Sequence, residues 1–310
     1  MSEKSPFVQE DPKVRKRKKV LSSIGIYLAF MLFLGVAGYS IMNLWDYTSD
    51  SIEDKQDNDE IAEVFHKAGN NPTPTPVYQV QEAPPYDETA DLLDKYNTMK
   101  ALNHDYAFWL QLNGTGQEYP VCVNPSSDGY YYLKHNFKKR WAGSGCLFLD
   151  PYSDENSDNY IVYGHHMRNG SMFGKLYKYE NADWVKTDDN NIIEVYTATE
   201  HRYYEVVSVF TASVNKLPFN WSSYSTITSV SQGVELAKKV KESSQVDLGY
   251  EPGVYDDRFL ILVTCEYTHR NGREVVIARQ LGRPTLSQAY YWEAMDKVAQ
   301  QKVALMNSIT

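Results

Sequence analysis

Cys265 stands where an apolar stretch of the sequence gives way to a polar one. Residues 260–264 read LILVT, and residues 266–273 read EYTHRNGR. The apolar stretch is typical of a buried strand, which would hold the cysteine on a rigid backbone at an exposed edge. A thiol in this place could act as a nucleophile, although a structural core cysteine is the commoner explanation for a single cysteine beside apolar residues.

A second apolar stretch ends at two histidines. Residues 160–163 read YIVY, and Gly164, His165 and His166 follow. Histidine exchanges protons near neutral pH, so an imidazole at the end of this strand could protonate a leaving amine. A surface histidine pair or half of a metal site would give the same pattern. Zinc requires three or four ligands at workable spacing, and these histidines lack a nearby cysteine or acidic ligand pattern, so we predict no metal.

Arg273 opens the strand-like stretch REVVIARQL, eight residues after Cys265. Its guanidinium is always charged and presents a rigid fork of donors that suits an oxyanion, while a solvated arginine near a loop is the alternative. A tight two-residue turn at Asn271 and Gly272 would pair Cys265 with Ala278 and turn Arg273 away from the thiol. A shared site therefore requires a wider loop or a bulge between the two strands.

Together, these side chains supply what an acyl transfer by cysteine needs. A thiolate attacks a carbonyl, an imidazole delivers a proton to the leaving amine, and N–H donors stabilise the tetrahedral oxyanion. The hypothesis requires that Cys265, His165 and Arg273, which are distant in the chain, meet at one rim of a sheet.

Short β-type stretches recur from Phe108 onward and are bounded by Gly, Asn, Asp and Pro. Because regular helices do not alternate with them, they predict an all-β-dominated fold, either a barrel or a sandwich. The stretches are AFWLQL, YPVCV, YYYL, GCLFL, NYIVYG, IIEVYTA, RYYEVVSVFTA, RFLILVTC and REVVIARQL.

Helices are predicted around and within this β-rich part of the chain. Apolar residues at helical spacing predict one helix within 86–102 and a terminal helix within 285–310. Two helical insertions are predicted inside the β-rich part, at 172–184 and 230–243. We expect the terminal helix to pack on the domain without a catalytic role.

The first 45 residues combine a basic cluster with an uncharged apolar run. Six Lys and Arg residues lie between Lys13 and Lys19, whereas 20–45 contain no Asp, Glu, Lys or Arg. The run is long enough to cross a bilayer and lacks a small-residue cleavage site, so we predict a transmembrane anchor in preference to a cleaved signal peptide. The positive-inside rule then places 1–19 in the cytoplasm and the rest of the chain outside the cell membrane. This orientation argues against nucleic acid as a partner of the basic tail.

The segment after the apolar run is predicted to be a stalk. Residues 46–85 are polar and acidic, and their Thr-Pro repeats favour extended conformations, with a short helix possible around 61–67. The predicted organisation is a basic tail (1–19), an anchor (20–45), a stalk (46–85), a catalytic domain (86–284) and a C-terminal helical extension (285–310).

The cysteine count is odd for a chain placed outside the cytoplasm. There are three cysteines, so at least one thiol is outside any intramolecular disulfide. Cys122 and Cys146 lie in strand-like apolar stretches. We predict that both are buried free thiols, although their spacing also permits a disulfide between them.

Taken together, the three stretches resemble the sortase family. The family signature is a strand ending in Thr-Leu-x-Thr-Cys, an earlier strand ending in Gly-His and an arginine on the strand after the cysteine. This sequence has ILVTC at 261–265, Gly164-His165 and Arg273, in that order. Similarity to class B extends over roughly 86–284 and rests on YGHHMRNGSMFGKLYKY, WLQLNGTGQEYPV, YYYLKHNFKKRWAGSGCLFLD and the helix before the cysteine strand.

The resemblance implies an eight-stranded β-barrel and a transpeptidase that needs no cofactor or metal. Cys265 would attack the carbonyl of a Thr in a C-terminal sorting signal. His165, which directly follows the glycine, would serve as acid and base, and His166 would be its neighbour. Arg273 and the backbone N–H of Glu266 would stabilise the oxyanion.

The resemblance also implies the partners. They are secreted proteins that bear a C-terminal sorting signal, an amine of a cell-wall precursor, and the membrane that holds the N-terminal helix. The loop 213–224 and the helix after it would wall the substrate groove. The substrate-binding residues implied are Thr264, Val263, Leu217 and Tyr224.

Three other functions fit parts of the pattern. A pilus-assembling sortase would join protein subunits in place of wall precursors. A cell-wall cysteine peptidase would hydrolyse its substrate, but in the common family of that kind the cysteine precedes the histidine, whereas His165 precedes Cys265 here. A non-enzymatic wall scaffold would be expected to lack at least one of the three side chains, and all three are present.

Overall fold

The computed structural model describes residues 12–69, 88–125, 127–187, 189–252, 257–266 and 272–281. Within the helices and strands, the side chains of 12–26, 43–44, 46–51, 88 and 265–266 lie outside this description. The predicted C-terminal helix at 285–310 also lies outside it, as does the loop 267–271.

Eight strands in the described part of the chain close into a barrel, with the order β1-β2-β3-β4-β7-β8-β6-β5 and β5 paired to β1. The predicted eight-stranded barrel is therefore confirmed. The strands are β1 (Tyr106–Leu112), β2 (Gln117–Cys122), β3 (Leu147–Leu149), β4 (Tyr160–Tyr163), β5 (Ile192–Tyr196), β6 (His201–Ser213), β7 (Phe259–Glu266) and β8 (Gly272–Gln280).

Alternation along the strands divides the apolar residues between two cores. In β7, Leu260 and Leu262 belong to the cluster that also holds Phe108 of β1, whereas Ile261 and Val263 belong to a cluster on the opposite face. Successive side chains of a strand point to opposite faces, so the first cluster fills the barrel and the second lies outside it. β7 reads as a continuous apolar run because both of its faces are buried.

The outer cluster is covered by a helix that the sequence predicts correctly. Helix α4 spans Val230–Ser243, after α1 (Pro12–Lys67), α2 (Glu88–Leu102) and α3 (Ala182–Val185). Ser229 caps α4 by accepting a hydrogen bond from the backbone N–H of Gln232. Leu236, Ala237 and Val240 are fully buried in the cluster that contains Ile261. Each large side chain buried in this way contributes about 1.5–3 kcal/mol.

One predicted strand is wrong. The stretch YYYL forms a 3-10 helix at Tyr131–Leu133. The backbone N–H of Leu133 donates to the carbonyl of Tyr130 at 3.0 Å, and the backbone N–H of Tyr132 donates to Oδ1 of Asn124 at 3.2 Å. These local bonds occupy the donors that a sheet ladder would need, and burial of Tyr132 fixes the turn.

The helical insertion predicted at 172–184 is only partly helical. A 3-10 helix at Leu176–Glu180 is followed by the single turn α3. Asn181 separates them because its backbone is extended and its side chain accepts hydrogen bonds from the backbone N–H groups of Asp183 and Trp184. An N-cap residue in this conformation starts a new helix and ends the previous one.

The segment predicted as a stalk contributes a helix to the barrel domain. Residues 53–67 of α1 place Asp57, Ile61 and Phe65 on one face, four residues apart, and all three are buried. Phe65 stacks on Trp109 of β1 with ring centroids 4.4 Å apart. Asp57 accepts a hydrogen bond from Asn136 Nδ2 at 3.0 Å. This packing was not predicted, and the Thr-Pro repeats at 70–87 lie outside the described residues.

The chain divides into two compact units, 1–52 and 53–310. Among the described residues, no helix is apolar over a length sufficient to cross a membrane. The transmembrane anchor at 20–45 is therefore not confirmed and stays a prediction.

Cys122 and Cys146 are free and buried, as predicted. Cys122 accepts a hydrogen bond from Asn103 Nδ2, and Cys146 donates to the carbonyl of Pro120 at 3.5 Å. Burial raises the pKa of the Cys122 thiol well above its ordinary value. Both residues belong to the cluster that packs under α1, so their role is structural.

Candidate active site

The pairing of β7 with β8 decides whether Cys265 and Arg273 share a face. The two residues are direct partners in the antiparallel ladder, and Glu266 pairs with Gly272. The connection therefore spans 267–271 and is wider than a two-residue turn. With this pairing, Arg273 and Cys265 lie on the same face of the sheet, as a shared site requires. Directly opposed residues point to the same side of a sheet. The side chains of Cys265 and Glu266 lie outside the described residues, so their placement rests on the backbone.

A groove of about 360 Å³ opens on this face of the barrel. It contains His165 and Arg273, which the sequence predicts to be catalytic, and Val263, Thr264 and Leu217, which it predicts to bind substrate. The complete lining is Tyr130, Leu133, Phe148, Tyr163, Gly164, His165, Val214, Leu217, Asn220, Trp221, Ser222, Val263, Thr264 and Arg273.

Tyr224 is not among the residues that line this groove, and its predicted role in substrate binding stays a prediction. Its side chain is buried in the outer cluster, with its ring 6.1 Å from that of Phe219. The predicted loop 213–224 does wall the groove, through residues that come before Tyr224. The 3-10 helix Trp221–Tyr224 turns Tyr224 inward, so its hydrophobic ring supports the wall from behind.

His165 is held by a backbone carbonyl. Its Nε2 lies 2.7 Å from the carbonyl oxygen of Leu133. A carbonyl only accepts, so Nε2 carries the hydrogen and Nδ1 is the ring nitrogen left to exchange a proton. The backbone carbonyl of His165 accepts from the N–H of Phe173 at 3.0 Å. Both the ring and the main chain are therefore fixed.

Gly164 allows the histidine to follow the strand so closely. A Cβ at this position would lie 2.3 Å from a methyl group of Leu147 and 2.8 Å from the ring of Phe173. The backbone N–H of Gly164 donates to the carbonyl of Val263, which continues the parallel pairing of β4 with β7. Only glycine fits this close approach, and it sets His165 beside the end of the strand that carries Cys265.

Arg273 brings a permanent positive charge to the groove. Its Nη1 donates to the carbonyl of Gly272 at 2.9 Å, and its ladder neighbours are Cys265 on β7 and Ala212 on β6. The side chain is partly exposed. The small neighbour Ala212 leaves room for the guanidinium, whose other N–H donors can face the groove.

A hydrogen-bond network behind the groove wall was missed by sequence reasoning. Trp221 Nε1 donates to the hydroxyl of Tyr163 at 2.9 Å, and that hydroxyl donates to Oδ2 of Asp150 at 3.1 Å. Ser222 Oγ donates to the same Oδ2 at 2.7 Å. Burial raises the pKa of Tyr163 far above its usual range, so the hydroxyl stays protonated. The signal in the sequence was weak, since Asp150 merely ends the stretch GCLFLD.

The family relationship follows from the sequence match that covers this site. The family described as "Sortase domain" matches residues 111–281, which is more than half of the chain and includes all three candidate catalytic residues. The chain belongs to the sortase family.

Its relatives are class B sortases. The chain is 29% identical to sortase B of Listeria monocytogenes over 195 residues, which are 60% of this chain and 74% of that protein. It is 25% identical to sortase B of Staphylococcus aureus over 193 residues, with the same coverage. The solved structure of Clostridium perfringens sortase B has 28% identity and a TM-score of 0.54, over 60% of this chain and 99% of that one.

The predicted class B sortase is therefore confirmed. Sortases are cysteine transpeptidases that act in cell-wall sorting, and this activity applies to the chain at that level. The matched region lies within the barrel domain, which also holds the groove.

Proposed function

We propose that this sortase cleaves a C-terminal sorting signal after Thr and transfers the protein to an amine of a cell-wall precursor. The observation that carries the proposal is the direct pairing of Cys265 with Arg273 beside the groove that contains His165. This pairing supports a shared site for three groups that are distant in the sequence.

The first half-reaction forms a thioacyl enzyme. The Cys265 thiolate attacks the carbonyl carbon of the signal's Thr, and the carbonyl π electrons move to oxygen. Arg273 and the backbone N–H of Glu266 stabilise this oxyanion. When the oxyanion collapses, the C–N bond breaks, and the imidazolium of His165 gives a proton to the departing amine.

The second half-reaction reverses the same roles. A primary amine attacks the thioester carbonyl, His165 removes a proton from the attacking nitrogen, and the Cys265 thiolate leaves. An imidazolium and a guanidinium near the sulfur favour the thiolate, so the enzyme regains its reactive form. The Leu133 carbonyl supports the exchange because it holds Nε2 and leaves Nδ1 for the proton.

The groove is proposed to bind the residues of the sorting signal that precede the scissile bond. Leu217 and Val214 provide apolar surface, and Asn220 and Ser222 provide hydrogen-bonding groups on the same wall. Val263 completes the floor beside Cys265, and Thr264 meets the groove through its backbone because its side chain turns into the barrel. A lining that mixes apolar and hydrogen-bonding groups suits an extended peptide, whose side chains and backbone need both kinds of contact.

We further propose that 20–45 anchor the chain in the cell membrane, with 1–19 in the cytoplasm and the barrel outside. The support is the absence of charged residues in the run and the basic cluster before it. Secreted substrates cross the same membrane, so an anchor would raise their effective concentration at the groove. Cleavage of a fusion at 20–45, or recovery of the chain without detergent, would contradict this part.

The reaction is tested with the full chain, a panel of sorting-signal peptides and a panel of amines, with products read by mass spectrometry. We expect a thioacyl adduct on Cys265 without amine and a peptide-amine conjugate with it. Release of the free acid alone in the presence of amine would indicate a peptidase. Conjugation only to lysine-containing protein subunits would indicate pilus assembly.

A further inference from the structure

Three residues next to the proposed catalytic residues in the sequence lie on the inner side of the barrel. His166 directly follows His165, and Glu274 directly follows Arg273. Thr264 directly precedes Cys265 and is the ladder partner of Glu274. Strand alternation therefore turns Glu274 and Thr264 into the barrel, while Arg273 and Cys265 face out.

Glu274 is a carboxylate in the barrel interior. It is 1% exposed, and its neighbours in the ladders are Thr264 on β7 and Thr211 on β6. A buried carboxyl group needs a polar partner or is held in its neutral form. Val276, two residues further on the same face, belongs to the apolar cluster that fills the barrel, so the polar surroundings of Glu274 lie toward the open end.

His166 brings a polar group close to Glu274. Its Nδ1 lies 3.8 Å from Oε2 of Glu274, and its side chain is 19% exposed. The backbone of His166 forms a bridge with Met172, which is buried in the interior cluster. The imidazole is therefore held at the mouth of the barrel, within range of the carboxylate charge.

His166 and Glu274 connect strands β4 and β8, which lie on either side of β7. The strand order is β4-β7-β8, so His166 at the end of β4 and Glu274 on β8 lie on either side of β7. β7 is the strand that carries Cys265. Neither His166 nor Glu274 lines the groove.

We propose that His166 and Glu274 are positioning residues that set the relative placement of His165, Cys265 and Arg273 from inside the barrel. The inference rests on the proposed function, because it assigns these three groups to one reaction. The close approach of His166 Nδ1 to Glu274 Oε2, at 3.8 Å, links the ends of β4 and β8 behind β7. A shift of either end would displace a reacting group, to which catalysis is sensitive.

The test compares Glu274→Gln, His166→Gln and the double variant of the full chain in steady-state transpeptidation. We expect each single variant to lower kcat by about tenfold and to change KM by less than about twofold. The double variant should be no slower than the slower single variant, because the two side chains act as one unit. Glu205→Gln is the matched control, since Glu205 is paired with Arg279 at 3.4 Å, away from the groove, and should stay within about twofold of wild type.

Three results would overturn the inference. They are an unchanged kcat in a folded His166→Gln, independent losses that multiply in the double variant, or a loss confined to KM. If Glu274→Gln does not fold, the result for His166→Gln, whose side chain is partly exposed, decides alone.

Failure of the proposed function has a different signature. Transfer by Cys265→Ala, or no transfer by the wild-type chain with any peptide and amine, would reject the reaction itself. If Cys265→Ala is inactive while Glu274→Gln and His166→Gln match wild type, only the positioning role fails.

Discussion

The two sides of the groove are built by different means. The side proposed to be catalytic consists of the ends of β4, β7 and β8, where ladder hydrogen bonds set the positions of Cys265 and Arg273 and of the strand that precedes His165. The opposite wall is the segment between β6 and α4, held to the barrel through the side chains of Trp221, Ser222 and Asp150. Ladder bonds use the backbone, whereas the wall is held mainly through side chains, with one backbone bond from the N–H of Asn159 to the carbonyl of Ser225.

This difference predicts that substitutions on the two sides affect different kinetic parameters. Substitutions on the catalytic side change the reacting groups but leave the ladder in place, so they should lower kcat. Substitutions in the network behind the wall alter the shape of the groove and should act mainly on KM. Each of the following variants tests one side of this comparison.

The largest effect is expected for Cys265→Ala. Transpeptidation should fall by at least about 10³-fold because the nucleophile is absent, while a strand position tolerates the small residue. Product formation and the thermal unfolding midpoint are measured together. Cys146→Ala, which removes a buried thiol away from the groove, should retain the activity. Turnover by Cys265→Ala would place the nucleophile elsewhere.

Arg273→Lys should lower kcat by about 10²-fold, because an ammonium lacks the rigid fork that reaches the oxyanion. KM should change much less. Arg279→Lys is the matched control on the same strand, since Arg279 pairs with Glu205 at the other end of β8. Near-normal turnover by Arg273→Lys would mean that the guanidinium serves only to hold the strand.

Asp150→Asn should raise KM by about tenfold and leave kcat within about threefold. Asp150 is 3% exposed, and its Oδ2 accepts from both Tyr163 and Ser222. Hydrogen bonds to a charged group contribute about 1.5–3 kcal/mol, so the wall should loosen and the unfolding midpoint should fall. The control is Asp154→Asn, an exposed carboxylate nearby. A loss of kcat at constant KM would show that the two sides are not separate.

The smallest effect is expected for Trp221→Phe. The ring is retained, but the Nε1 donor to Tyr163 is lost while Tyr163 keeps its bond to Asp150. KM should rise by about fivefold, consistent with the loss of one hydrogen bond of about 1 kcal/mol. Trp184→Phe, on α3 outside the groove, should leave KM unchanged. An effect larger than that of Asp150→Asn would make Trp221 the centre of the network.

The catalytic side was predictable from the sequence because its residues end strongly patterned strands. LILVT before Cys265 and YIVY before Gly164 each indicate a strand, and the strands end at Glu266 and Tyr163. The register between β7 and β8 was not predictable, since two turn lengths fit the same residues and place Arg273 on opposite faces. The structure resolves it by pairing Cys265 with Arg273.

The wall of the groove and residues 53–67 of α1 were less predictable, because their positions depend on contacts between residues that are distant in the sequence. Asp57 looks like part of a solvated acidic stalk, and only contact with the barrel buries it beside Ile61 and Phe65. Tyr130–Leu133 has the composition of a strand, and local hydrogen bonds override that propensity. The inward turn of the Tyr224 ring was not predictable either, because it depends on packing against Phe219.

The burial of Cys122 and Cys146 has a practical consequence for measuring the enzyme. Neither thiol is exposed, and the raised pKa of Cys122 keeps its sulfur in the unreactive protonated form. A thiol-directed alkylating reagent added to the folded chain should therefore consume one equivalent. The equivalents consumed would count competent molecules in a preparation, which converts an observed velocity into a true turnover number.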